Sequence, residues 1–104
     1  MGKVLFSLSL LLSSSYVYAD TISANCIFNG KPLNGRVKVV KQFPDFKVKV
    51  VQQLEDIKVK RVSSSPDSCG QWQFVDSFPD FTIEYVNSFP DFTIKFVDSF
   101  QGIP

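Results

Sequence analysis

The 104-residue chain contains no histidine, two cysteines and a formal net charge of +1. One domain is the expectation at this length. Without histidine there is no Ser-His or Cys-His nucleophile pair and no His-based metal site, and a near-neutral total argues against nucleic acid as a partner.

The N-terminus reads as a signal peptide over residues 1–19. Lys3 supplies the positive charge, residues 4–12 the apolar run, and Val17-Tyr18-Ala19 an A-x-A-like cleavage site. The run falls short of the roughly 20 apolar residues that span a bilayer. No transmembrane segment is therefore expected after cleavage, and the destination is periplasmic or secreted. A lipid anchor is not expected, because Asn25 stands before Cys26 where a small residue would be required. In an oxidising compartment Cys26 and Cys69 are expected to form one disulfide. It would close a loop of about forty residues and stabilise the fold by roughly 3–4 kcal/mol.

Residues 20–35 read as a cap. Cys26-Ile27-Phe28 is a short strand, and the turn dipeptides Asn29-Gly30 and Asn34-Gly35 flank Lys31-Pro32-Leu33 in a hairpin-like arrangement. Residues 36–104 are a β-repeat domain. Phe43-Pro44-Asp45-Phe46, Phe78-Pro79-Asp80-Phe81 and Phe89-Pro90-Asp91-Phe92 are three copies of one turn. Leu54-Glu55-Asp56-Ile57 and Ser65-Pro66-Asp67-Ser68 are degenerate copies.

Six strand-like stretches accompany these turns, at residues 36–40, 47–51, 58–62, 71–75, 82–86 and 93–97. Their starts step by 11 residues, except for one step of 13 that contains Cys69-Gly70. Within a stretch, apolar residues such as Phe46, Val48 and Val50 alternate with Lys47 and Lys49. That period-2 pattern predicts strands, and proline in four of the five turns of the array excludes a long helix. The closing valine of each stretch (Val40, Val51, Val62, Val75, Val86, Val97) falls on the polar parity, so a bend or a second layer is expected to cover it.

Two all-β architectures fit. The preferred one is a short parallel β-solenoid or β-roll, with two units per coil and the N-terminal hairpin as cap. The alternative is an antiparallel β-meander. Proline cannot take the positive φ that tight two-residue hairpin turns require, which favours longer arcs.

The unit Val75-Asp76-Ser77-Phe78-Pro79-Asp80-Phe81-Thr82-Ile83-Glu84-Tyr85 resembles the undecapeptide repeats of small exported bacterial proteins of no assigned activity. The Gly35-Arg36-Val37-Lys38-Val39-Val40 lead-in and the Cys69-Gly70-Gln71-Trp72 break are similar to that group as well, so the likeness covers residues 26–104. It implies export and a β-repeat architecture, and no activity.

The remaining chemistry is sparse. Stacked turns would align Asp45, Asp56, Asp67, Asp80 and Asp91 in a column. A calcium site or a carboxylate hydrolase could use such a column, but acids repeated at one turn position are expected to serve their own turns. No cofactor, no metal site and no enzyme activity are expected. Thr82 and Thr93 are too few for an ice-binding array. Trp72 and the turn residues Phe43, Phe78, Phe89 and Phe100 are expected in the core.

Charge divides along the chain: residues 31–61 carry nine basic and three acidic residues, and residues 62–104 one basic and six acidic. Lys38, Lys47, Lys49, Lys58, Lys60 and Arg61 form a candidate face for an anionic partner, with a solubilising surface as the plainer reading. The function expected is a non-enzymatic exported structural or binding protein that self-associates through its basic and acidic halves. The alternative is a small secreted inhibitor or immunity-type protein bound to another exported protein.

Overall fold

The computed structural model describes residues 21–104, so the expected signal peptide lies outside the described residues. The described part is all-β. A two-stranded antiparallel hairpin, β1 (Ile27–Phe28) and β2 (Lys31–Pro32), precedes β3 (Gly35–Val39), β4 (Phe46–Val50), β5 (Ile57–Arg61), β6 (Gln71–Phe74), β7 (Phe81–Tyr85) and β8 (Phe92–Phe96). The six repeat strands overlap the stretches expected from alternation, five of them beginning one residue earlier and all six ending before the closing valine, and the expected N-terminal hairpin is present.

Their assembly differs from both expected architectures. The strands close a barrel in the order β3-β6-β5-β8-β4-β7, and every pairing within it is parallel. A two-unit coil would stack β3 on β5, whereas β3 pairs with β6 and β7. A meander would need antiparallel neighbours. The physical advantage of closure is that six short strands keep no free edge, while a coil of three turns would expose one at each end.

The order around the barrel is an interleaved double lap. β3, β4 and β5 take alternate places, and β6, β7 and β8 fill the gaps between them. Each link therefore passes outside one strand of the other lap before the chain rejoins the barrel. The link after β3 crosses β7, with Val40 N–H donating to the Ile83 carbonyl and Asp45 N–H to the Thr82 carbonyl. In the same way the links after β4, β6 and β7 cross β8, β3 and β4, and the C-terminal tail crosses β5. The exception is the link from β5 to β6, which joins neighbouring strands. This is the step lengthened to 13 residues, so the break in periodicity is where the chain passes from the first lap to the second. Connections that cross in this way depart from the usual uncrossed topology of sheets.

The half-buried closing valines also find their place. Each begins a link, an outer one except at Val62, and donates its N–H to a barrel strand: Val75 to Val37, Val86 to Val48, and Val97 to Val59. The links are the second layer that their parity requires.

Inward-facing side chains stack in tiers. The middle tier is Val37, Val48, Val59, Trp72, Ile83 and Ile94, all with no exposed surface. The tier at the strand starts contains Phe46, Ile57, Phe81 and Phe92, with Gly35 and Gly70 at the remaining two places. The hairpin plugs this end: Phe28 meets Phe46 and Phe92 edge-on at 5.5 and 5.3 Å. Trp72 lies in the core as expected, and its indole N–H donates to the Leu33 carbonyl at 3.1 Å, tying barrel to cap. The Cys26–Cys69 disulfide joins cap to lap change. Gly70 packs so closely on the Lys58 carbonyl and on Gly102 N that a side chain has no room there.

Candidate functional site

Three of the links carry Phe-Pro-Asp-Phe, and each position of this motif has its own role. The first takes a left-handed backbone: Phe43, Leu54, Ser65, Phe78, Phe89 and Phe100 have φ between 52° and 61°. Residues with a Cβ avoid this region, at a cost of about 1–2 kcal/mol each. Pro44, Pro79 and Pro90 follow with their fixed negative φ. The aspartate then binds the strand being crossed, and the last residue enters the core as Phe46, Phe81 or Phe92.

The aspartates are therefore structural, and their partners lie outside their own turns. Asp80 accepts from Arg36 N–H and Asp91 from Lys47 N–H, both at 2.7 Å. Asp45 and Asp56 accept from Thr82 and Thr93 N–H at 2.8 Å. Thr82 and Thr93 are thus committed to these links. The expected column of acids does not form, because successive links cross different strands and the carboxylates spread around the barrel. Asp67, on the link that crosses no strand, instead donates its N–H to Gln71 Oε1 at 3.1 Å.

The first residue of the motif overturns its expected place in the core. The apex side chains point into solvent, from 81% exposed at Phe78 to 94% at Leu54, with Phe43, Phe89 and Phe100 between. The reason is local. The left-handed apex turns the side chain away from the strand below, and the phenylalanine three residues later fills the barrel instead. The signal was present in the sequence, since the same slot holds Ser65, which no core position of this barrel would accept. The apices sit over β7, β8, β3, β4 and β5, so five apolar knobs surround the barrel and only the β6 side lacks one.

The candidate anionic-partner residues are divided. Lys38 projects from β3, Lys47 and Lys49 from β4, and Lys58 and Lys60 from β5. These strands belong to the first lap and alternate with second-lap strands. Lys47 stands beside Glu84 in the register, while Lys58 stands beside Lys95. The basic and acidic halves of the sequence are thereby mixed around one barrel, and two separate charged ends do not exist. The densest basic region is the β5-β8-β4 side, which includes Lys95. Arg61 is apart from the lysines, with inward parity at the strand ends. Its Cζ lies 3.8 Å from the Phe96 ring centroid and 5.8 Å from that of Phe74. Nearby, burial raises the Tyr85 phenol above its ordinary pKa of 10.0, while the positive charge of Arg61 acts in the opposite direction.

No group of three metal-ligating side chains occurs among the described residues, and no helix long and apolar enough to cross a membrane is found among them. The disulfide is compatible with an extracellular or periplasmic location. The family model described as the 7(1) septoil knot domain matches residues 30–104. No curated protein matches the chain.

Proposed function

The chain belongs to the 7(1) septoil knot domain family, and on that premise we propose that it is a non-enzymatic, exported structural or binding module that makes its contacts through the apices of its outer links. One observation carries this reading: five large apolar side chains are held almost wholly in water, on a backbone conformation that disfavours them. Stability alone would select Gly or Asn at these positions. Single exposed apolar residues are ordinary, but here five recur at one slot of the repeat on a backbone that disfavours them.

The favoured partner is a second copy of the chain. Knobs on five sides of one barrel suit side-by-side association, with aromatic rings buried between neighbours. The head-to-tail form of self-association loses its support once the two laps interleave the charges, and apolar lateral contact replaces it.

Sedimentation velocity of the oxidised, exported protein tests this. The expected result is concentration-dependent association that persists or strengthens at high salt, as apolar contacts do. A Phe78→Ser/Phe89→Ser variant should stay folded and sediment as a monomer. A wild type that remains monomeric up to about 1 mM, where even a weak specific contact would be populated, overturns the reading.

A further inference from the structure

The two barrel ends are unlike. The hairpin closes the end at the strand starts, while the other end is ringed by the last inward position of each strand. The register places these in the order Val39, Phe74, Arg61, Phe96, Val50 and Tyr85. Val39, Val50 and Tyr85 are each a little over 40% exposed, above a floor of wholly buried side chains. The result is a shallow apolar dish with one cation in its wall.

Arg61 is the exception that calls for a cause, because the five equivalent positions are aliphatic or aromatic. Its guanidinium is stacked on Phe96 and flanked by Phe74, whose ring centroid is 6.3 Å from that of Phe96. Stacking uses the face of the guanidinium and leaves its in-plane N–H groups free, in the fork that suits a carboxylate. Among the described residues this guanidinium has no hydrogen-bond or ion-pair partner. A cavity of about 240 Å³ opens beside it, lined by Lys60, Arg61, Phe96, Val97 and Asp98.

We propose that this cavity binds a small monocarboxylate with an apolar body, the carboxylate held by the Arg61 fork and the body lying against the Phe96 ring edge and Val97. Asp98 and Lys60, both in the wall of the same cavity, carry opposite charges, which leaves the Arg61 guanidinium as its net cation. This site is independent of the link apices, so it stands or falls separately from the self-association reading.

The test is an NMR titration of the isotope-labelled, oxidised protein with phenylacetate and with octanoate. Phenylethanol supplies the apolar body alone, and inorganic phosphate the charge alone. Both carboxylates should give saturating shifts at the Arg61 Nε–H and at Phe96 and Val97, with a dissociation constant of about 0.1–1 mM. Phenylethanol and phosphate should bind roughly tenfold more weakly or worse. Arg61→Lys should weaken carboxylate binding about tenfold, and Arg61→Met should abolish it in a spectrum that stays dispersed. Should Arg61→Met fail to fold, Phe96→Leu keeps the charge, removes the stack and is expected to weaken binding severalfold. The proposal is overturned by no saturation up to about 10 mM, by equal affinity for phenylethanol or phosphate, or by wild-type binding in either substituted protein.

Discussion

Asp45 and Thr82 hold each other through backbone and side chain at once. Asp45 N–H donates to Thr82 Oγ1 at 2.9 Å, and Thr82 N–H donates to Asp45 Oδ2 at 2.8 Å. The residues are 37 positions apart, and the pair fastens a link of the first lap onto a strand of the second. Asp56 and Thr93 repeat the arrangement at 3.0 and 2.8 Å.

This pair should be measurable as a coupling. Asp45→Ala is expected to cost about 1–3 kcal/mol in guanidinium unfolding, since it leaves the Thr82 N–H without its carboxylate. Thr82→Val should cost less, and the double variant less than the two single losses together, by about 1 kcal/mol. Strict additivity would mean that the link is held by its backbone bonds alone.

The two phenylalanines of one turn should respond in opposite directions. Phe46 is buried in the barrel, so Phe46→Ala is expected to cost about 3–5 kcal/mol. Phe43 is exposed with φ of 53°, so Phe43→Gly should be neutral or stabilise by up to about 1 kcal/mol. A large loss at Phe43 would return its side chain to the core.

Glycines of similar backbone should separate by their surroundings. Gly30 and Gly70 have φ of 85° and 83°, and alanine at either is strained by about 1 kcal/mol. Around Gly30 the space is open, whereas a Cβ at Gly70 would collide with the Lys58 carbonyl and lie 2.7 Å from Gly102 N. Gly70→Ala should therefore cost about 3 kcal/mol or more, and should break the bridge between Lys58 and Gly102. Chemical unfolding of both variants decides it.

Tyr85 gives a pH signature. Subtracting the ultraviolet titration of Tyr85→Phe from that of wild type isolates its phenol, whose midpoint is expected above 10.0 because burial disfavours the phenolate. The folded state then holds this proton more tightly than the unfolded chain. The stabilisation from this group is complete below pH 10 and declines as pH rises past 10.0 toward the folded midpoint. Arg61→Met should move that midpoint higher still, and a midpoint at or below 10.0 would contradict the buried setting.

The sequence by itself determined the local structure. Alternation at residues such as Phe46, Val48 and Val50 is read directly as strand, because side chains on an extended backbone leave on opposite faces. The Asn29-Gly30 turn marked the hairpin, and the spacing marked six units with one irregular step. Tertiary structure alone decided the rest. An 11-residue unit of strand and link has the same local preferences whether it coils, meanders or crosses a neighbour, since those outcomes differ only in which distant strand supplies the hydrogen-bond partner. The partners of Asp45 and Asp80 lie 37 and 44 residues away, and no local pattern encodes such distances. For the same reason the charge asymmetry of the chain did not become an asymmetry of the molecule. Lap interleaving set Lys47 of β4 beside Glu84 of β7, and it brought Arg61, Phe74 and Phe96 from three separate repeats to the open end of one barrel.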